Sequence, residues 1–379
     1  MFTIVRHVSN KMLLIFILFN KVGGILMKKI KVLYILSSLV KKGPNVVVYN
    51  IIKNLDFNKF EPYLLTFREN KSSLFFNDFL SLKNLMVIQE DFVLPYDIKK
   101  INKVLYEIKP DVVHSNGISA DFCNAFSTNF GQKKVSTLHG LMYEHYISSF
   151  GFLKGSLYGL IHNLLYIRIH WRIGCSKAVT KSITSKFLKA SHIKNGLDVD
   201  VVNNYASLQT DDPIIIFVGS LDQRKNVKTL LKSFSKSSIH NKFKLLLVGN
   251  GPLKETLEAE YESDRIVFVG FVDDPLPYIR NSSFLVLPSF NEGFPLVVIE
   301  SLSVGTPVLL SKIPPHEEIF ELSNDIGVLF EPSEEGMINM FNMLDCYDFV
   351  SSRKNCTVVY QSYLTSQIMS QDYMKLYLE

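Results

Sequence analysis

Two long stretches of this 379-residue sequence contain no acidic residue: none precedes Asp56, and none lies between Glu144 and Asp198. Cysteine is sparse too. Cys123, Cys175, Cys346 and Cys356 form no CxxC pair and fall short of the density of a disulfide-held domain, so a reducing compartment is expected. No apolar run approaches the ~20 residues that a spanning helix needs. Residues 12–19 are the nearest to one, and with Arg6 and Lys11 ahead of them, residues 1–26 read as a weak leader or a start placed too far upstream. Met27 opens the better first strand. No GxGxxG fingerprint of a dinucleotide site follows that strand, because the turn at 38–45 holds one glycine, Gly43. No nucleic-acid motif is present either.

What is present divides the chain in two. Residues 1–200 hold 27 Lys and Arg against 13 Asp and Glu, and residues 201–379 hold 14 against 23. A basic surface attracts nucleic acid or anionic lipid, and without a motif for the first, an anionic membrane surface is the expected partner. At 47% hydrophobic content the chain can fill two cores. Short apolar runs at 32–37, 63–66, 85–88, 112–114, 135–137 and 173–175, then at 214–218, 244–248, 266–270, 284–287 and 308–310, are spaced for intervening helices. That alternation predicts parallel α/β sheets covered on both faces. The expected units are a first domain at 27–202, a polar hinge at 203–212, a second domain at 213–359 and a helix at 360–379. Leu157, Leu160, Ile161, Leu164 and Leu165 share one helical face, which reads first as core. Phe150, Phe152, Lys154, Tyr158, Arg168, Trp171 and Arg172 bracket it with residue types that also suit a lipid interface.

The densest chemistry lies at 284–310, an apolar strand, a turn-rich loop, a helix and a second strand. Gly293 permits close approach of the loop backbone, and Pro295 suits the first helical position. The helix is apolar nearly all round, yet Glu300 sits in its middle, and Glu292 lies eight residues earlier. Eight steps of ~100° separate two helical positions by only about 80°. Two carboxylates could thus flank one polyhydroxylated diphosphate, with the helix N-terminus between them. The plainer reading ties Glu300 to a neighbouring backbone group or Arg and leaves Glu292 solvated. A second strand-to-helix turn carries Arg224 and Lys225, two cations suited to a diphosphate.

The E-x7-E spacing, with Gly-Phe-Pro after the first acid and Gly305-Thr306-Pro307-Val308 behind the helix, resembles the signature of the retaining glycosyltransferases of family 4. The resemblance implies two Rossmann-like domains facing a central cleft (GT-B type), with a C-terminal helix crossing back to the first domain. It implies that Glu292 faces a donor sugar, that Glu300 holds the nucleotide ribose, and that the backbone of Gly293, Phe294, Pro295 and Leu296 contacts sugar and diphosphate. Gly43 would lie in the first loop beside the donor, and His139, in Thr-Leu-His-Gly, would line the catalytic cleft. Lys225 matches the family's phosphate lysine, but Ser220 stands where an Arg is usual, leaving Arg224 to compensate.

The activity implied is retaining, metal-independent transfer of a hexose from a nucleoside diphosphate sugar to a hydroxyl of a glycan or lipid-linked acceptor in polysaccharide assembly. The sugar nucleotide is a co-substrate and no cofactor is expected. The implied location is cytoplasmic and peripheral, on the inner face of the membrane. His114, the Asp198–Asp200 triplet and Asp273-Asp274 read as a structural hydrogen-bonder and solvated acids. Two alternatives stay open: a nucleotide-sugar epimerase on a similar fold, and a non-catalytic nucleotide-sugar binding module.

Overall fold

The structure is a computed structural model that describes residues 28–67, 74–92, 97–183, 190–199, 212–344 and 347–379. The expected leader, residues 203–211 of the expected hinge, and Asp200 lie outside the described residues.

The described residues form two separate sheets. Strands β1 (Ile30–Leu36), β2 (Phe60–Thr66), β3 (Met86–Gln89), β4 (Val112–Asn116), β5 (Lys133–Leu138), β6 (Trp171–Gly174) and β7 (Ser191–His192) pair in the order β3-β2-β1-β4-β5-β6-β7. Strands β8 (Ile214–Val218), β9 (Lys244–Val248), β10 (Ile266–Gly270), β11 (Phe284–Leu287), β12 (Val308–Ser311) and β13 (Gly327–Phe330) pair in the order β10-β9-β8-β11-β12-β13. All of these pairings are parallel. Helices cover both faces, so the strands are apolar along nearly their whole length: Ile215, Phe217, Leu245, Leu247, Leu285 and Leu309 are fully buried. Each such side chain contributes about 1.5–3 kcal/mol by leaving water.

Strand order locates the functional crevice. β1 lies between β2 and β4, and β8 lies between β9 and β11, so each sheet reverses its winding there. Ligands of open α/β sheets bind beyond the carboxyl ends of the strands at such a reversal. The loops at these points carry Gly43 and Asn116 in the first domain, and Arg224, Lys225 and Glu292 in the second.

Two expectations change. The expected helix at 360–379 is two helices, Phe349–Tyr363 and Ser366–Leu378, and the second is the one that crosses back. Leu197 forces the break: its N–H donates to Leu364 O at 3.0 Å and its carbonyl accepts from Ser366 N at 3.1 Å, leaving the Thr365 hydroxyl to cap the new helix. One reading stands: His114 is the expected structural hydrogen-bonder, fully buried and held by Tyr377 Oη at 2.7 Å and Thr137 Oγ1 at 2.8 Å.

The second change concerns the stripe read as core. In the helix Phe152–Tyr166, Leu157, Leu160 and Leu164 are more than half exposed. The buried face is instead Gly155, Gly159, His162, Leu165 and Tyr166. The preceding helix, Met142–Phe150, packs so close that a Cβ on Gly155 would lie 2.5 Å from the Ile147 backbone, and one on Gly159 2.5 Å from the Tyr143 ring.

Candidate active site

In the second domain, β8 leads into a turn whose 3-10 segment, Gln223–Lys225, is capped by Asp222, with Oδ1 accepting from Lys225 N at 3.0 Å. The turn presents two cations to the loop after β11. Lys225 Nζ lies 2.5 Å from Glu292 Oε1, and Arg224 Nη1 lies 3.5 Å from the same oxygen while donating to Asn291 O at 3.0 Å. Lys225 and Glu292 are both buried. Desolvation is the largest single influence on Glu292 and opposes its charge, but Lys225, then Arg224 and His316, outweigh it and hold the carboxyl below its ordinary range. Glu292 is therefore a buried carboxylate, not a solvated one. Arg224, expected to replace the cation missing at Ser220, is engaged with Asn291 and Glu292.

One residue further on, the loop meets the first domain. A Cβ on Gly293 would sit 2.0 Å from His139 O and 3.0 Å from Cys175 Sγ, so only glycine permits this approach. Phe294 O accepts from Asn195 Nδ2 at 2.9 Å, while the Phe294 ring is buried in the core. Pro295 does not take the first helical position. It is extended, with φ −71° and ψ 123°, and the helix Leu296–Ser303 begins after it, because the contacts at Gly293 and Phe294 keep the loop straight up to that point. Leu296 then reaches the first loop of the other domain, its Cδ1 3.9 Å from where a Cβ on Gly43 would be.

Glu300, on this helix, is half-buried, and although its backbone O accepts from Ser303 Oγ at 2.7 Å, its carboxyl has no hydrogen bond or ion pair among the described residues. Burial raises its pKa to about 7, with Lys41 opposing and Asp274 adding to the shift. Lys41 itself spans the cleft, donating to Asp273 O at 2.7 Å. The Arg or backbone partner of the plainer reading is thus missing at Glu300. Asp198, in contrast, is tied to Lys53 Nζ at 2.6 Å.

At the end of β5, His139 Nε2 lies 2.9 Å from Asn116 Oδ1. With that oxygen as acceptor, Nε2 carries the proton and Nδ1 presents a lone pair. Neither His139 Nδ1 nor Asn116 Nδ2 has a partner among the described residues. Burial lowers the His139 pKa to about 4, with Asp121 pulling the other way, so the ring is neutral near pH 7. Exchanging Asn116 for Asp should put a carboxylate beside it and return the His139 titration, followed by NMR, to above pH 6. An unmoved titration would mean that the pair is not formed.

Asn116 carries no functional signal of its own in the sequence, although it occupies the strand tip and His114 lies two residues inside. His316 was equally unmarked. It is fully buried beside the Glu292 and Lys225 charges, its Nδ1 2.8 Å from Ser311 O, with Nε2 unpartnered among the described residues. Two residues on, Glu318 of the second domain accepts from Lys177 N at 2.8 Å and Ala178 N at 2.6 Å of the first, bracing the two domains together.

A buried carboxylate paired with two cations, an unpartnered carboxyl eight residues later, and a neutral histidine from the facing domain thus converge on one cleft. The chain matches two family profiles that between them span most of its length: "Glycosyltransferase Family 4" over residues 42–201 and "Glycosyl transferases group 1" over residues 204–340. It is 26% identical over 310 residues to the O-antigen biosynthesis glycosyltransferase WclY of Escherichia coli, covering 77% of this chain and 82% of that one. It is also 26% identical over 240 residues to the UDP-Gal:alpha-D-GlcNAc-diphosphoundecaprenol alpha-1,3-galactosyltransferase of Escherichia coli, covering 56% of this chain and 60% of that one. Among solved structures, sucrose-phosphate synthase from Thermosynechococcus elongatus shares the fold with a TM-score of 0.75 at 19% identity, covering 92% of this chain and 98% of that one.

Proposed function

Because the chain belongs to the two-domain glycosyltransferases that these profiles describe, we propose that it moves a sugar from a nucleoside diphosphate sugar to a hydroxyl of a lipid-linked glycan, with retention and without a divalent cation. The observation that carries this reading is the Glu292 carboxylate, buried against Lys225 and Arg224 and one residue from the Gly293–His139 contact between domains. The role follows from the chemistry. As the bond from the anomeric carbon to the diphosphate breaks, the leaving group takes the electron pair and its negative charge grows. Lys225, Arg224 and the free amides at the start of the helix Leu296–Ser303 are fixed charges and dipoles that would meet it, and such preorganised groups act most strongly where water is excluded.

Glu292 would hold the sugar and Glu300, whose carboxyl has no partner among the described residues, the ribose hydroxyls. Neutral His139 would accept a hydrogen bond from sugar or acceptor. The names of WclY and the galactosyltransferase support an acceptor from polysaccharide assembly, the second of them a diphosphoundecaprenol-linked one. We place the enzyme on the cytoplasmic face of the membrane, where it would be held peripherally. No helix among the described residues is long and apolar enough to cross a bilayer.

The test is transfer from labelled UDP- and GDP-sugars to extracted lipid-linked acceptor in excess EDTA, with the product's anomeric configuration read by NMR. Undiminished transfer giving an α-linkage from an α-linked donor is expected. Activity that returns only with Mn²⁺ would remove the metal-independent reading, and an inverted product the retaining one.

A further inference from the structure

The helix Phe152–Tyr166 carries an apolar face that none of the described residues covers. Phe152, Leu153, Leu157, Leu160 and Leu164 are each more than half exposed, and Phe150 and Ile167 extend the same surface at its two ends. Single exposed leucines are ordinary, but a contiguous face of this kind marks a contact surface. The helix is not loosely attached. Its glycines lock it against Met142–Phe150, and His162 pins it from below, with Nδ1 2.8 Å from Tyr146 Oη and Nε2 2.7 Å from Asp121 Oδ2. Asp121 in turn accepts from Ser115 Oγ at 2.6 Å, next to Asn116 at the tip of β4. The hairpin is therefore a rigid part of the first domain.

Its charge pattern selects the occupant. No acid occurs between Glu144 and Asp198, and the exposed cations on the helix and just beyond it are Lys154 and Arg168. Arg168 lies over the Phe126 ring, which is itself exposed. Aliphatic and aromatic side chains bounded by cations, with no carboxylate anywhere in residues 145–197, match the boundary between acyl chains and anionic headgroups.

We propose that Phe152–Tyr166 lies flat in an anionic bilayer surface and is the element by which the first domain docks. This deepens the reading of the chain as an enzyme of lipid-linked acceptors and rests on it for its purpose. Met142, where the hairpin begins, is three residues after His139. Hairpin, Asp121 and strand tip form one braced unit, so docking sets the His139–Asn116 pair at a fixed height above the membrane. A lipid-linked hydroxyl would then be met at that height.

Sedimentation of the full chain with vesicles of phosphatidylglycerol and phosphatidylethanolamine, and with neutral phosphatidylcholine vesicles, tests this. The wild type should pellet with the anionic vesicles and far less with the neutral ones. The triple variant Leu157→Glu, Leu160→Glu, Leu164→Glu, whose positions are exposed, should keep the wild-type melting temperature and lose at least tenfold in bound fraction. It should still be stabilised by the same nucleotide as the wild type, while losing transfer to acceptor held in vesicles. A variant that pellets like the wild type overturns the proposal. So does a shift from dimer to monomer with vesicle binding unchanged, which would assign the face to a second copy of the chain. If the wild type docks but binds no sugar nucleotide, the reading of its activity fails and the docking surface stands.

Discussion

A Lys225→Met variant should lose about a hundred- to a thousandfold in transfer rate, the usual effect of removing one preorganised charge-stabilising group, together with about 3–5 kcal/mol of stability. The two losses have different origins. Stability falls because Glu292, buried and 2.5 Å from the Lys225 ammonium, would be left with only Arg224 at 3.5 Å. Activity falls because the leaving diphosphate loses a cation. Adding Glu292→Gln to Lys225→Met should separate them, since a neutral pair of similar shape leaves no buried charge uncompensated. The double variant should regain most of the stability and none of the activity. Chemical denaturation beside a transfer assay checks both. A double variant that regained activity along with stability would reduce the pair to a structural brace.

Glu300 should make donor binding depend on pH around neutrality. Its pKa is raised to about 7, and a carboxylate is the better acceptor for two ribose hydroxyls, so nucleotide affinity should climb between pH 6 and pH 8 with a midpoint near 7. His139 and His316, lowered to about 4 by burial, do not titrate in that window. In Glu300→Gln the affinity should be weaker and flat across it.

Stability of the ligand-free protein should run the other way. A carboxyl whose pKa is raised on folding binds its proton more tightly in the folded chain. Its favourable contribution is complete below the unfolded value and disappears as pH rises through about 7. Glu300→Gln should therefore melt a few degrees higher than the wild type at pH 8 and at nearly the same temperature at pH 4, below the ordinary carboxyl value. Calorimetric titration with UDP- and GDP-sugars, whose doubly esterified diphosphates do not ionise between pH 6 and pH 8, and melting curves at the two pH values, decide it. A Gln variant that keeps the wild-type pH profile would place the ionisation elsewhere.

The strands of the second domain were legible because parallel strands buried on both faces are unbroken apolar runs. Those expected at 214–218, 244–248, 266–270 and 284–287 coincide with β8 to β11. Glu300 stood out for the opposite reason, as an acid in the middle of an apolar helix, and Glu292 by its place eight residues earlier in the entry loop. What stayed hidden depends on contacts between distant segments. The inward face of Phe152–Tyr166 holds Gly155, Gly159 and His162, which no hydrophobic pattern marks as core, so Leu157, Leu160 and Leu164 were assigned to the wrong side and only Leu165 of the leucines to the right one. The break at Leu364 comes from Leu197, and the extended Pro295 from contacts at Gly293 and Phe294 that reach the first domain. Asn116 and His316 are polar residues whose surroundings appear only once strand tips and loops are brought together.

The crossing helix Ser366–Leu378 also bears on how the chain is made. Tyr373 and Tyr377 are buried in the first domain, where Tyr373 Oη lies 2.9 Å from Thr137 Oγ1, and Tyr377 Oη lies 2.7 Å from His114 Nδ1 and 3.2 Å from Tyr34 Oη. Residues near the start of the polypeptide thus wait for others near its end. At about 5–20 residues per second, the interval between translating Tyr34 and Tyr377 is on the order of a minute or less. Throughout it the nascent first domain lacks part of its own interior, while every strand of the second sheet, β8 to β13, is translated before Tyr373 and Tyr377 are. The order of emergence and the order of completion are therefore reversed, and the unfinished partner is the one exposed to chaperones.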